Sequence, residues 1–357
     1  MAAEGEATDV TPLSARRPLS ARRSPRWRPA LAAIGGSVMV GFMPLLVLRL
    51  YKDGISAPSM LVWRYGLALL PLAAASGLAG HNIRAALRAG AWQITLVGAT
   101  LGVGQTLCFW ESLHTLDTSV AILLFYTYPA LTLAVERAVF KRPIPRRAAV
   151  CVAVILLGAA IITVPGMSGG LDSRGLAWVL PSPLIYALYL TANSLLMRHY
   201  PPLVGAICLY LGLAASFAIA TLYLGLNVPV AAGTWLVLLV IAFGPGALSV
   251  VLFSYSVPRL GPGSYAIIAN CELVTVVVIG VVALGEDLTA SRVLGGALIA
   301  SAILVHGFFG RPGHVARARF DKSAADTQIP RRQTVGWPLF ALGGERKVRA
   351  PRRHGAG

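Results

Sequence analysis

From about residue 30 onward, long apolar runs alternate with short polar turns. Ten runs, at residues 30–50, 58–79, 91–113, 118–140, 146–164, 175–197, 203–224, 233–256, 262–284 and 290–310, have the length a membrane helix needs. About 20 apolar residues cross a hydrocarbon core about 30 Å thick, so each run predicts a spanning helix. The tightest connection is His114-Thr115-Leu116-Asp117, between the third and fourth runs.

The pattern also repeats. At an offset of 144 positions, residues 118–162 fall beneath 262–306 without a gap. Each copy is an apolar run, a short polar turn and a second apolar run. When two residues are allowed to slip upstream, Gly102-Val103-Gly104 lies over Gly244-Pro245-Gly246. A half-chain repeat in an apolar protein points to a transporter-like core of two related halves.

Composition agrees with the runs. Hydrophobic residues make up 56% and charged ones 13%, against about 25% charged in soluble domains. A net charge of +17 raises nucleic acid as a partner, but the charge sits mostly in the tails. Residues 1–30 hold six Arg against three acidic residues, and residues 311–357 hold eleven Lys or Arg against three. Without aromatic interleaving or a nucleic-acid fold signature, these tails predict cytoplasmic retention and contact with anionic lipid, not nucleic acid. Four domains are expected: a basic, disordered tail at 1–29 with the tandem PLSARR repeat, five-helix repeats at 30–164 and 175–310, and a basic tail at 311–357.

Lys and Arg in the connections set the orientation. With the N-terminus inside, the inner connections hold Arg84, Arg88, Lys141, Arg142, Arg146, Arg147, Arg198 and Arg259. The outer ones hold Arg49, Lys52, Arg174 and Arg292. Both termini are therefore expected in the cytoplasm, and five helices per half, an odd number, invert the second half relative to the first. The turn after residue 140 is basic, whereas its counterpart carries Glu286 and Asp287, as opposite topologies favour.

Ten spans in two inverted halves, Glu272 within Asn270-Cys271-Glu272-Leu273, the turn Leu284-Gly285-Glu286-Asp287-Leu288-Thr289 and the Gly-rich last run resemble the EamA-type drug/metabolite transporters over about residues 30–310. The resemblance implies an all-α integral membrane protein of ten transmembrane helices that moves a small metabolite or drug, most often outward. One departure bears on shape. The family usually has Glu-Pro in the ninth helix; here Leu273 follows Glu272, while the first copy keeps Pro129 and has Tyr128 in place of the Glu.

A charge inside a span costs roughly 2.5–3.5 kcal/mol on insertion scales, so each is a functional candidate. Glu272, ten residues into the ninth run, suits reversible protonation or binding of an amine. Its alternative role is a structural hydrogen bond. Arg64 and Glu111 fall at similar depth with opposite sign, as an outer gate or a tie between helices. Glu136 and Arg137 lie near the cytoplasmic end of the fourth run, where pairing with nearby cations accounts for Glu136 and snorkelling for Arg137. Gln105, Tyr126, Tyr128, Asn270, Tyr186, Tyr189 and Asn193 complete the expected substrate cavity, the last three sharing one helix face. Aromatic faces suit an amine or apolar solute and amides its polar end, although Tyr also serves in packing.

No Walker phosphate loop, His-Glu-x-x-His or Cys-x-x-Cys occurs, and the four Cys are isolated within apolar runs. An enzyme, a cofactor, a metal and ATP-driven transport by this chain alone are therefore not expected. Secondary transport in the cytoplasmic membrane of a bacterium is, with the bilayer, a small-molecule substrate and H⁺ as the coupling ion among its partners and a homodimer left open. A lipid-linked carrier flippase and a non-transporting scaffold or sensor are the alternatives.

Overall fold

The structure, a computed structural model, describes residues 27–141, 143–166, 172–285 and 287–309. Nearly all of both tails and Glu286 lie outside the described residues. Among the described residues every regular element is a helix. Nine are long and apolar enough to cross a membrane: α1 Trp27–Lys52, α2 Ala57–Leu78, α4 Thr118–Phe140, α5 Arg146–Thr163, α6 Ser173–His199, α7 Pro202–Leu224, α8 Ala232–Leu260, α9 Pro262–Ala283 and α10 Ala290–Gly307. The third predicted run, apart from Leu113, lies in a helical stretch at 83–112, here α3, which is kinked at Gly90 (φ 107°) and falls outside those nine. Gln93, Thr95, Thr100, Gln105 and Thr106 dilute its apolarity.

The halves interlock. α5 packs most extensively on α10, α2 on α7, α1 on α8 and α9, and α6 on α3 and α4. Exchanging the halves maps α5·α10 and α2·α7 onto themselves and the α1 contacts onto those of α6, so the structure carries the symmetry of the sequence repeat. Small residues let the helices approach. A Cβ on Gly158 of α5 would stand 2.7 Å from the Gly295 carbonyl of α10, and one on Gly98 of α3 2.5 Å from the Leu209 carbonyl of α7. Close backbone contact of this kind is how helices associate where the surrounding lipid is as apolar as their side chains.

Several spans are interrupted, at matching places. α4 breaks at Tyr126-Thr127 and α9 at Asn270, the positions that the 144-residue offset superposes. Pro129 sits in the first turn after the α4 break, whereas α9 bends without a proline. There the Asn270 side chain donates to the Ala266 carbonyl at 2.7 Å, in competition with the backbone. Both helices also end alike. Lys141 follows α4 at φ 52°, and Gly285, 144 residues on, follows α9 at φ 69°. Lys141 is the one non-glycine with positive φ among the described residues.

Wide π turns interrupt α3 at Gly98–Gly102 and α8 at Ala242–Leu248, again in corresponding places. Such turns free backbone carbonyls, which must find other donors away from water. Arg64 of α2 donates through Nη2 to the Pro245 carbonyl at 3.4 Å, and Tyr210 of α7 donates to that of Gly246 at 3.1 Å. In the other half Ser216 of α7 donates to the Ala99 carbonyl at 3.3 Å.

Candidate functional site

Seven helices line a cavity of about 250 Å³ between the halves. α1, α2 and α3 line it from one half, and α6, α7, α8 and α9 from the other. Its charged walls are Arg64 and Glu272. The break in α9 places Glu272 in the first turn of the half-helix Cys271–Leu284, where the helix dipole favours a carboxylate. The α8 π turn anchors Arg64 from behind, and the Tyr65 ring centroid lies 5.3 Å from its Cζ. Arg64 Nε is buried with no hydrogen-bond partner.

Arg64 and Glu272 are not a contact ion pair. Among the described residues the one pair within 4.0 Å is Arg49 with Asp53, at 3.8 Å. Both charges therefore face one small cavity, each within electrostatic reach of the other and neither touching it.

Tyrosines supply much of the remaining wall: Tyr65, Tyr186, Tyr189, Tyr210 and Tyr265. Their rings join a wider aromatic chain. Tyr186 meets Tyr128 edge-on at 4.9 Å and stacks on Tyr189 at 5.7 Å. Tyr189 stacks on Phe253 at 5.9 Å, and Phe253 meets Tyr265 edge-on at 5.3 Å. Ser37, Gln105, Thr106 and Ser249 add polar groups.

Of the residues expected to form a substrate cavity, Glu272, Gln105, Tyr186 and Tyr189 line it. Asn270, Tyr128, Tyr126 and Asn193 do not, and their contacts give the reason. The Tyr128 hydroxyl donates to the Ala266 carbonyl at 3.3 Å and accepts from Asn270 Nδ2 at 3.2 Å, fastening the broken helices α4 and α9 together. Tyr126 packs into the apolar clusters behind. Asn193 turns back along α6 to donate to the Tyr189 carbonyl at 2.9 Å. A shared helix face therefore leads to the cavity at Tyr186 and Tyr189 and into buried packing at Asn193.

The expected pairing of Arg64 with Glu111 does not form. Glu111 is exposed near the end of α3, whose last segment packs on α6, whereas α2 carries Arg64 to the cavity against α7 and α8. Similar depth in the membrane did not bring the two helix faces together. Glu136 Oε2 accepts from the Gly263 N–H at 2.9 Å, at the start of α9.

Sequence reasoning passed over Tyr65, Tyr210, Tyr265 and Phe253, because an aromatic residue in an apolar run is as readily core as cavity. For Tyr65 a signal existed: it adjoins Arg64.

Comparison with known proteins places this architecture. No curated protein matches the chain. A solved structure described as "Crystal structure of protein" superposes with a TM-score of 0.68 at 17% identity, over 79% of this chain and 97% of that one. It supports the fold alone. The EamA-like transporter family matches twice, over residues 27–164 and 173–308, one match for each half. With most of its length so covered, the chain belongs to the EamA-like transporter family.

Proposed function

We propose that this protein is a secondary transporter that exports a small metabolite across the bacterial cytoplasmic membrane by alternating access, with both termini in the cytoplasm. The observation that carries the proposal is the cavity between the halves, walled by helices of both and holding two charges. Binding sites of secondary transporters lie at such repeat interfaces beside broken helices. The cavity, at about 250 Å³, lies below the roughly 300–1,000 Å³ of drug-sized sites, which favours a metabolite over a drug.

In this reading the halves rock about the cavity, and Glu272 exchanges a proton or a cationic group of the substrate as access changes sides. Its carboxylate lines the cavity and forms no contact ion pair with Arg64, which leaves it able to bind either. The paired breaks in α4 and α9 and the paired π turns in α3 and α8 are where helices of the two halves can flex.

The test is transport by reconstituted vesicles of amino acids, nucleosides and cationic dyes, with a pH gradient imposed in each direction, for intact protein and Glu272→Gln. Movement that follows the gradient in the intact protein and loses that dependence in the variant supports the proton-coupled reading. Unchanged gradient dependence in the variant removes Glu272 from the mechanism, and no movement of any compound counts against transport.

A further inference from the structure

Asn227, in the connection between α7 and α8, fastens the start of α2 in the other half. Its Oδ1 accepts from the Ser56 N–H at 3.1 Å and from the Ser59 hydroxyl at 3.3 Å. Its own N–H donates to Ser59 Oγ at 2.8 Å, and its carbonyl accepts from Trp63 Nε1 at 2.9 Å. Beside it Thr234 donates to Asp53 Oδ2 at 2.8 Å, and the Trp63 and Trp235 rings meet edge-on at 5.0 Å. Every one of these contacts joins the first half to the second on one membrane face, the one that the proposed orientation turns outward.

The duplicated sequence shows that this use of the residue is not a local capping habit. Gly80-His81-Asn82 stands 145 positions before Gly225-Leu226-Asn227, and both glycines have positive φ, 69° and 82°. Asn82 caps its own helix, accepting from the Ala85 N–H at 2.9 Å. Asn227 instead serves a helix of the opposite half, and α8 starts after Ala231 with no side-chain cap. Nor is the connection held by packing: Leu226, Val228 and Val230 are exposed, and an open groove of about 480 Å³ runs between it and the α1–α2 turn. Polar bonds on an exposed face exchange with water at modest net cost, so the connection can detach without unfolding a helix. Next to it, the segment Ala232–Ile241 of α8 packs on the end of α1 and on α2, and joins the rest of its helix through the π turn at Ala242–Leu248. A segment with a flexible turn at one end and a detachable fastening at the other is built to swing.

We propose, resting on the transporter reading above, that Asn227 is the catch of an outer gate. With its bonds made, the cavity is shut on the outer face; their release lets the Ala232–Ile241 segment swing away from α1 and α2 and opens a path there. Ser59 precedes Arg64 by five residues of one helix, so the catch also sets the position of a charge that lines the cavity.

The experiment places a reporter in the cavity, Val40→Cys on α1. Its labelling by a membrane-impermeant maleimide is followed in the full-length protein, in right-side-out and inside-out vesicles, with protein lacking the reporter as background for the native cysteines. Asn227→Ala should speed labelling from the outer face roughly tenfold, the factor that corresponds to one or two net hydrogen bonds. Asn227→Asp, which keeps the acceptor, should label as the parent does, and Asn82→Ala should leave the outer rate unchanged. The pair Ser59→Cys and Asn227→Cys tests the converse and serves where Asn227→Ala fails to fold. Oxidised to a disulfide, it should bring outer labelling down to background and stop any solute that the reduced protein moves, and reduction should restore both. An outer rate that Asn227→Ala leaves unchanged, or an oxidised pair that still labels or transports, overturns the catch and leaves the transporter reading standing. Labelling from neither face in any variant counts against alternating access as well.

Discussion

Glu136 Oε2 accepts a hydrogen bond from the Gly263 backbone N–H at 2.9 Å, so a carboxylate of the first half caps the first turn of α9 in the second. In the first half, α4 is capped locally: Asp117 Oδ1 accepts from the Ser119 N–H at 2.8 Å. The two corresponding helix starts thus differ in where their cap comes from. Removing Glu136 should loosen the junction between the halves as well as one helix end. Glu136→Ala is expected to cost about 1–3 kcal/mol, the range for a buried donor left unsatisfied. Gly263→Ala should destabilise as well, because a Cβ there runs into the Glu136 carboxylate and Leu133 Cδ2. Thermal unfolding of the detergent-purified variants checks this, and the double variant should cost less than the sum, since both changes break one contact.

Lys141 occupies a left-handed conformation that its counterpart Gly285 adopts without steric cost. A side chain there costs about 1–2 kcal/mol, and glycine also gives up unfolded-state freedom on folding. Lys141→Gly should therefore stabilise by up to about 1 kcal/mol, and Gly285→Lys should destabilise. A lower melting temperature for Lys141→Gly would show that the lysine side chain makes a compensating contact.

The crossing of α5 and α10 allows a controlled comparison. A Cβ on Gly158 would stand 2.7 Å from the Gly295 carbonyl and 2.8 Å from Ile299 Cγ1, whereas one on Gly296 has nothing within 4 Å. Overpacking of this kind costs about 1–3 kcal/mol, while alanine in place of an unconstrained helical glycine gains about 0.5–1 kcal/mol. Gly158→Ala should lower the unfolding temperature and Gly296→Ala leave it unchanged or raise it. Equal effects would mean that the two helices do not cross at Gly158.

His81, in the connection between α2 and α3, has its Nδ1 buried with no hydrogen-bond partner, and burial pushes its pKa below the usual 6.5. The folded state therefore binds fewer protons than the unfolded state as pH falls from about 6.5. Stability should be fully present above 6.5 and decline below it, and His81→Gln should flatten that decline. Melting temperatures measured between pH 8 and pH 5 for both proteins test the sign; stability that rises on acidification would contradict it.

The one-dimensional sequence already determined the number and placement of the apolar runs, the two repeats and the residues that could carry charge within a span. Run length is set by bilayer thickness, and a duplication survives as a pattern of residue types, so neither requires knowledge of contacts. It also placed Arg64 and Glu272 among the few charges that membrane burial makes costly. What it could not settle was which helix faces meet. Depth alone suggested Arg64 with Glu111, but α2 packs on α7 and α8 and carries Arg64 to the wall it shares with Glu272. Missing the family proline, α9 still bends at Asn270, because a side chain takes up a backbone carbonyl there. Tyr128 and Asn270 are polar by type, yet they are consumed in joining α4 to α9, while Tyr65, Tyr210 and Tyr265 reach the cavity. Residue type fixes which side chains can bind a solute; only the packing of helices from both halves decides which of them have an open space to bind it in.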